Sequence, residues 1–106
     1  MGKKVLRKFT ATQTPVAEDQ ILDVWNTWLQ FHAGARGRAP QLSESRRAAI
    51  SYAIGAYGLE LSRKAVEGCS LSEFHMGGND LGKKYNSIEL IFRDEWRVKK
   101  FASLVE

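Results

Sequence analysis

Residues 69–94 read CSLSEFHMGGNDLGKKYNSIELIFRD, and this stretch holds the most informative pattern in the 106-residue chain. Glycines, Asn79, Asp80 and two lysines fall together between positions 77 and 84, whereas the run from 87 to 93 is strongly apolar. Loops that a scaffold holds in place often carry function. A polar, glycine-rich loop between two apolar segments therefore predicts a held loop, for which the rest of the chain provides the scaffold.

The composition of the chain predicts one soluble domain. A length of 106 residues suits a single domain with a modest core, and a hydrophobic share of 43% is ordinary for a globular protein. Cys69 is the only cysteine, so no disulfide forms within the chain and a reducing compartment is expected. No apolar run is long enough to cross a membrane, and no apolar segment of a signal peptide follows the basic N-terminus. We therefore expect a cytoplasmic protein that does not bind membranes.

The net charge of +4 is concentrated at the N-terminus. The first four charged residues are all basic, namely Lys3, Lys4, Arg7 and Lys8. The rest of the chain holds 12 basic and 12 acidic residues. Residues 1–17 are interpreted as a basic flexible tail, and the alternative is a short strand or a segment that orders on binding DNA or protein. A basic tail on a neutral body is a weaker sign of nucleic-acid binding than a basic body.

Apolar residues at three- and four-residue spacing predict three helices, at about 17–33, 44–57 and 59–68. Ser43 is a good N-cap for the second helix, and Gly58 is expected to end it. The apolar face of the first helix is predicted to be core rather than an exposed platform for base stacking. That face consists of Ile21, Leu22, Trp25, Trp28, Leu29 and His32.

Helices two and three together have the outline of a DNA-reading helix-turn-helix. A recognition helix needs outward polar side chains that reach base edges. The charges of the third helix are mixed in sign, so a helix that reads a DNA groove is the weaker hypothesis.

The second half of the chain is also predicted to be helical. A short helix is expected at 70–75, where Ser70 and Glu73 have capping-box spacing. By composition, the run at 87–93 suits either a strand or a helix. We favour a helix because Glu89 and Arg93 are four residues apart and no partner strand is evident.

Asp94 is a good N-cap for a last helix that spans about 95–104. Its aromatic and aliphatic residues are expected to close the core, and they are Trp96, Phe101 and Leu104. The predicted fold is therefore an all-α, single-domain bundle of four to five short helices with a glycine-rich loop, which occupies residues 18–106.

The residue types that carry catalysis or bind metals do not form a convincing constellation. Cys69 and His75 are six residues apart, and His32 and Asp80 are not in the paired spacing of a zinc site. Cys69 is interpreted as a small buried hydrophobe, and His75 as a residue whose imidazole hydrogen-bonds the loop. The glycine loop has neither Walker spacing nor the alternating oxygen ligands of a calcium loop. We expect no enzyme activity, no metal and no cofactor.

Contacts to nucleic acid form a separate hypothesis, which includes phosphate contacts from the glycine loop. Basic side chains reach the phosphate backbone, and exposed aromatic rings stack on bases. Tyr85 and Trp96 are the candidate stacking residues. The candidate phosphate contacts are Lys3, Lys4, Arg7, Lys8, Arg36, Arg38, Arg46, Arg47, Lys83 and Lys84.

Residues 68–94, together with Val98 and Phe101, resemble a domain found in bacteriophage replication proteins, where it commonly follows a winged-helix DNA-binding part. The matching loop motif consists of Phe74, His75, Met76, Gly77, Asn79, Asp80, Gly82 and Tyr85, and the run from Ile88 to Asp94 follows it. The opening of that family's helix pair is matched by Leu42, Ser43, Arg46 and Arg47, and its aromatic first helix by Trp25 and Trp28. The resemblance covers about residues 19–104. The layout is also similar to DnaD-like domains, through Tyr85, Ile88 and Trp96.

The resemblance implies an all-helical, non-enzymatic domain of phage replication initiators, replisome organisers or helicase loaders, which works in the host bacterial cytoplasm. The leading hypothesis is an accessory protein that binds a replisome component, such as the replicative helicase or its loader. The alternatives are a DNA-binding module that uses the basic tail and loops, and a phage-encoded inhibitor of a host replication protein. The chain shows no winged-helix part, so sequence-specific origin recognition is not expected. The loop motif is expected to serve the fold or to bind a partner.

Overall fold

The structure is a computed structural model that describes residues 16–33 and 40–105. Its five helices are α1 (Glu18–His32), α2 (Glu44–Tyr57), α3 (Leu59–Ser70), α4 (Ile88–Ile91) and α5 (Glu95–Ala102). An isolated antiparallel bridge joins Met76 to Lys84, and the described ranges contain no named strand. The predicted all-α fold with a glycine-rich loop is therefore confirmed.

Most of the predicted basic tail, and the loop that carries Arg36 and Arg38, lie outside the described residues. The last two residues predicted for the tail are described, however. Val16 packs against the core, and Ala17 is the N-cap residue of α1. The packed part of the chain therefore begins at least two residues before the predicted start of the domain at residue 18.

The predicted end signals of the helices match the structure. The side chain of Ser43 accepts a hydrogen bond from the backbone N–H of Arg46, and that of Asp94 accepts one from Arg97. Gly58 ends α2 at φ 90°, a backbone conformation that a residue with a side chain rarely adopts. Because the same glycine also begins α3, α2 and α3 are joined without any further linker.

The third helix lies at the centre of the bundle and packs against all four other helices. Its buried positions include Ala65, Val66 and Cys69, and each of the other helices contributes buried apolar residues to the same core. Gly68 lies where α3 meets α5. A methyl group there would overlap the backbone carbonyl of Phe101, so the two helices approach more closely than any side chain at position 68 permits.

Residues 71–75 form turns rather than the predicted short helix. α3 continues to Ser70, which was expected to cap the new helix. Ser72 instead hydrogen-bonds locally, and its hydroxyl lies 2.7 Å from Nδ1 of His75 and accepts from the backbone N–H of the same residue at 3.4 Å. Short polar side chains that bond nearby groups in this way compete with helix formation.

Two of the three residues expected to close the core from the last helix lie outside it. Trp96 is 67% exposed and Leu104 42% exposed, whereas Phe101 is buried. The apolar side of α5 that faces α3 is formed by Val98, Phe101 and Ala102, at three- and four-residue spacing. Trp96 lies on the other side of the helix, so the prediction for it was wrong.

The apolar run before α5 is helical, as favoured over a strand, but it makes only one turn. Glu89 accepts a hydrogen bond at 2.9 Å from Ser45 of α2, and Arg93 lies beyond the end of α4. The packing of Ile88, Ile91 and Phe92, all of them buried, holds this turn in place.

Candidate functional site

The glycine loop between α3 and α4 folds back on itself. The backbone N–H of Tyr85 donates to the carbonyl of His75 at 2.8 Å, next to the bridge between Met76 and Lys84. Gly77 and Gly82 have φ values of 106° and 62°, which only glycine adopts without strain. These two glycines of the predicted motif are therefore required by the backbone of the turn.

The side chain of Asn79 fastens the inside of this loop with four hydrogen bonds. Its amide nitrogen donates to the carbonyls of Phe74 and Lys83 at 2.7 and 2.8 Å. Its oxygen accepts from the backbone N–H groups of Leu81 and Lys83 at 3.1 and 3.2 Å. No other common side chain offers two donors and an acceptor in this geometry except glutamine, which is one carbon longer. Asp80 is exposed and makes no hydrogen bond or ion pair within the described ranges.

The backbone of the loop is not a free cradle for phosphate. The N–H groups of Leu81 and Lys83 bind Asn79 through its side chain, and that of Gly82 binds its carbonyl at 2.9 Å. The N–H groups of Gly77 and Gly78 donate to carbonyls of residues 74 and 73. A phosphate cradle needs several such groups to be unpaired. The exposed ammonium groups of Lys83 and Lys84 remain as candidate phosphate contacts in this loop.

His75 lies between the loop and α5. Its ring makes an edge contact with the ring of Phe101, with centroids 4.9 Å apart, and it hydrogen-bonds Ser72. Burial lowers the pKa of His75 below its usual value of 6.5, and the positive charges of Arg97 and Lys100 lower it further. A neutral imidazole in this position links the loop to the last helix.

The rings of Phe74 and Tyr85 stack on each other across the base of the loop, with centroids 5.8 Å apart. Phe74 is nevertheless 54% exposed. The ammonium of Lys83 lies over the Tyr85 ring, 5.8 Å from its centroid. The two apolar residues therefore form a small exposed aromatic surface with a positive charge beside it.

A pocket of about 170 Å³ lies between this aromatic pair and α5. It is lined by Phe74, His75, Tyr85, Leu90, Arg97 and Phe101. A second, shallower concavity lies on the other side of the aromatic pair, and it is lined by Phe74, Gly78, Asn79, Asp80, Leu81 and Tyr85. Five residues of the predicted loop motif therefore line one concavity or the other, namely Phe74, His75, Asn79, Asp80 and Tyr85, and the pocket joins the loop to α5.

The outer side of α5 carries a further aromatic and basic group. Trp96 projects with Lys100 over its ring, at 5.5 Å from the centroid, and Arg97, the next residue of the helix, lines the pocket. The Arg97 guanidinium donates to Asp94 at 2.7 Å. We call the combined feature the loop–α5 surface, and it consists of Phe74, Lys83, Tyr85, Trp96, Arg97 and Lys100.

Sequence reasoning did not find Arg97 and Lys100. Trp96 and Lys100 are four residues apart and Arg97 and Lys100 three apart, so the sequence shows a group of basic and aromatic residues in the predicted last helix. The expectation that Trp96 closes the core hides this group. Assignment of Val98, Phe101 and Ala102 to the core would have shown it.

The predicted nucleic-acid contacts in α2 are engaged within the fold. The Arg47 guanidinium forms an ion pair with Glu18 of α1 at 2.6 Å. That of Arg46 donates to the carbonyl of Gln41 at 2.6 Å and lies over the Trp25 ring, 5.9 Å from its centroid. These two arginines hold the start of α2 against α1, and they are not part of the loop–α5 surface.

The tryptophan platform does not fit the structure. α3 packs against all four other helices, and its exposed side carries Glu60, Arg63 and Lys64, whose charges are mixed in sign. Trp25 and Trp28 stack on each other in the core, with centroids 5.2 Å apart, and are at most 9% exposed. The prediction that they belong to the core is confirmed.

His32 and Cys69 are also buried. Nε2 of His32 donates to the carbonyl of Val66 at 2.8 Å, while Nδ1 accepts from the side chain of Asn86 at 3.0 Å. Burial lowers the pKa of His32, and it raises that of the Cys69 thiol to about 12. A thiol that stays protonated is a poor nucleophile, so Cys69 acts as a packing residue, as predicted.

The described ranges hold no cluster of three His, Cys, Asp or Glu side chains suited to a metal ion. Within those ranges, no helix combines the length and the apolar character that a membrane span requires. Comparisons with protein families, with curated proteins and with solved structures find no match for this chain.

Proposed function

We propose that this chain is a non-enzymatic accessory protein of bacteriophage DNA replication, which works in the host cytoplasm by binding a protein component of the replisome, such as the replicative helicase or its loader. The replication context comes from the resemblance of the loop motif and its flanking helices. The binding role comes from the loop–α5 surface.

The exposure of large apolar side chains around the loop and α5 carries the proposal. Of the six large hydrophobic residues that are exposed in the described part of the chain, five lie in the loop segment, in α5 or directly after it. These five are Leu71, Phe74, Leu81, Trp96 and Leu104. Clustered apolar groups rimmed by polar residues mark interaction sites, because their exposure to water is unfavourable. Aromatic and arginine side chains are also the commonest anchors of protein interfaces.

DNA binding is the second candidate function, and the two aromatic–lysine pairs at Tyr85 and Trp96 favour it. Exposed aromatic rings beside cations are typical of surfaces that bind single-stranded nucleic acid. Such binding weakens steeply as salt concentration rises.

The experiment for the leading proposal uses purified replicative helicase and loader of the host, immobilised in turn, with the full chain in solution. Wild-type protein should be retained by one of them, and the variant Trp96→Ala should be retained less. Leu22→Ala is the matched control, because Leu22 is exposed on α1, away from the loop. If neither protein retains the wild-type chain, but the chain binds labelled single-stranded DNA, the DNA-binding function replaces the protein-binding one.

A further inference from the structure

We propose that the pocket between the glycine loop and α5 binds an acidic segment of the partner protein. One large apolar side chain of that segment enters between Phe74, Tyr85 and Phe101, and its carboxylates pair with Arg97 and Lys100. This inference rests on the proposed function and adds the chemistry of the partner.

The size and walls of the pocket fit one apolar side chain. Its volume is about 170 Å³, below the range of about 300–1,000 Å³ that drug-sized ligands occupy. Phe101 and Leu90 form its inner part, and the stacked pair of Phe74 and Tyr85 forms one side. The edge contact between His75 and Phe101 fixes the inner aromatic wall. Fixed aromatic walls favour binding, since no side chain must be ordered when the guest enters.

The polar rim of the pocket is positive. Arg97 lines the pocket directly, and Nη1 of its guanidinium donates a hydrogen bond to Asp94. A guanidinium has five N–H donors in a fork that matches a carboxylate, so it can hold a second acid while Asp94 orients it. Lys100 lies near enough that its charge acts on His75. A guanidinium therefore lines the pocket together with its apolar groups, and Lys100 adds a positive charge nearby on α5.

The charge of the pocket wall favours an acidic guest, because Arg97 is the cation among the lining residues. Residues 73–105, which include the whole lining, contain six basic and five acidic side chains. Two of the five acids are already paired, Asp94 with Arg97 and Glu95 with Lys99. The N-terminal segment of this chain is basic, so its charge does not complement this surface.

A second copy of the chain also complements the surface poorly. The acidic residues of α1 are its densest negative group, but Glu18 is paired with Arg47 and Asp23 lies 3.6 Å from Arg63. A second copy that docked through Glu18 or Asp23 would have to break these pairs. The occupant with the best match is therefore an acidic segment of another protein.

Nucleic acid fits the same charges and the exposed rings, but not the pocket between them. A base stacks on a free aromatic face, and Phe74 and Trp96 are 54% and 67% exposed. A recessed apolar pocket, in contrast, suits a side chain that projects from a peptide.

The test uses short fluorescein-labelled peptides and measures anisotropy at low and at moderate salt with the full chain. One peptide is rich in Asp and has a central Phe, the second has Ala in place of Phe, and the third has Lys in place of Asp. A labelled oligo-dT is the fourth probe. We expect the acidic Phe peptide to bind at least about tenfold more tightly than each of the other three probes.

Matched variants locate the binding. Arg97→Glu and Phe74→Ala should each weaken binding of the acidic Phe peptide by about tenfold or more. Arg63→Glu makes the same charge change on α3, and Leu22→Ala removes an exposed apolar side chain on α1, away from the loop. Both controls should bind as the wild type does. Thermal melts of all four variants show whether the fold is retained, and peptide binding is compared only among folded proteins.

Several results would overturn the inference. These are no binding of the acidic Phe peptide, equal binding of the Ala peptide, equal or tighter binding of oligo-dT, or self-association of the chain that competes with the peptide. The proposed function is tested separately, with the immobilised helicase and loader. If a replisome protein retains wild type, Arg97→Glu and Phe74→Ala equally, the function stands and the pocket assignment fails. If neither protein retains the wild type, the function fails whatever the peptides show.

Discussion

At the scale of single residues, Gly68 sets how closely α3 and α5 approach. The space that a side chain at position 68 would fill is occupied by the carbonyl group of Phe101. This group belongs to the backbone and cannot rotate away. The close packing of α3 and α5 therefore requires a hydrogen atom, rather than a methyl group, on the Cα atom of residue 68.

Gly68→Ala should destabilise the protein severely. The new methyl group must push α5 away from α3, and overpacking of this kind costs about 1–3 kcal/mol and occasionally more. In a domain of this size we expect a fall in Tm of roughly 10 °C or more, measured by thermal denaturation with circular dichroism. Gly55→Ala is the control, because Gly55 is exposed in α2 and alanine there should stabilise the helix by about 0.5–1 kcal/mol. A Gly68→Ala protein that melts with the wild type would contradict the close approach.

At the scale of elements, the glycine loop is ordered from within by Asn79. Neither of the apolar segments that flank the loop is needed for its four side-chain hydrogen bonds. The loop is therefore a small unit of its own, which presents Phe74 and Tyr85 at its base.

Asn79→Asp should open the loop while leaving the helices folded. Aspartate keeps the oxygen that accepts from Leu81 and Lys83, but it places a second acceptor against the carbonyls of Phe74 and Lys83. Loss of such a bond costs about 0.5–1.5 kcal/mol, because water can partly replace the donor at this exposed site. We expect the amides of Leu81 and Lys83 to exchange hydrogen at least about tenfold faster, measured by NMR.

The control for the loop variant is Asp80→Asn, which changes the charge and amide content of the same loop at an exposed side chain. Its exchange rates should match the wild type. Unchanged exchange in Asn79→Asp would mean that the backbone bonds of the loop suffice without the side chain.

The sequence predicts the elements unequally, and the reasons are local. α1, α2 and α3 are long enough for their apolar spacing to be unambiguous, and Ser43 and Gly58 mark their ends. The segment 70–75 carries the capping-box letters of a helix start, but Ser70 belongs to α3 and the bond between Ser72 and His75 competes with a new helix. α4 is a single turn, so the spacing of its apolar residues does not distinguish a strand from a helix. The structure decides for the helix, with Ile88 and Ile91 buried in the core.

At the scale of the whole molecule, the docking angle of α5 decides what the surface offers, and the sequence does not contain that angle in readable form. Trp96 and Phe101 are both aromatic residues of one short helix, yet the first is exposed and the second buried. Which of these two side chains faces inward depends on how α5 packs on α3. The absence of a side chain at Gly68 allows the backbone of α5 to approach α3 at that point. The pocket therefore arises from tertiary packing, although Phe74, His75 and Tyr85 of its lining were predicted as site residues.

The whole fold is also tied together by His32, which joins three separate segments. Its ring stacks on Trp28 of α1, donates to α3 at Val66 and accepts from Asn86 ahead of α4. An imidazole that donates through Nε2 and accepts through Nδ1 must be neutral. A second proton on Nδ1 would face the amide N–H of Asn86 and would charge a group that the core has removed from water.

The stability of the protein should therefore fall as pH falls below about 6.5, the usual pKa of histidine. Burial lowers the pKa of His32 in the folded state, so the unfolded chain binds the proton more readily. The stabilisation is fully present above pH 6.5 and is lost progressively as pH falls through the folded-state pKa. The pKa of His75 is lowered as well, so its contribution to the pH dependence of stability has the same sign.

Urea unfolding of the wild type, His32→Gln and His75→Gln between pH 8 and pH 5 separates the contributions of the two histidines, since glutamine does not titrate. His75→Gln should keep most of the pH dependence because His32 is the more deeply buried, and NMR titration of the His32 ring should give a pKa below the usual value. A His32 pKa at or above 6.5, or equal pH dependence in the wild type and His32→Gln, would contradict the neutral buried link.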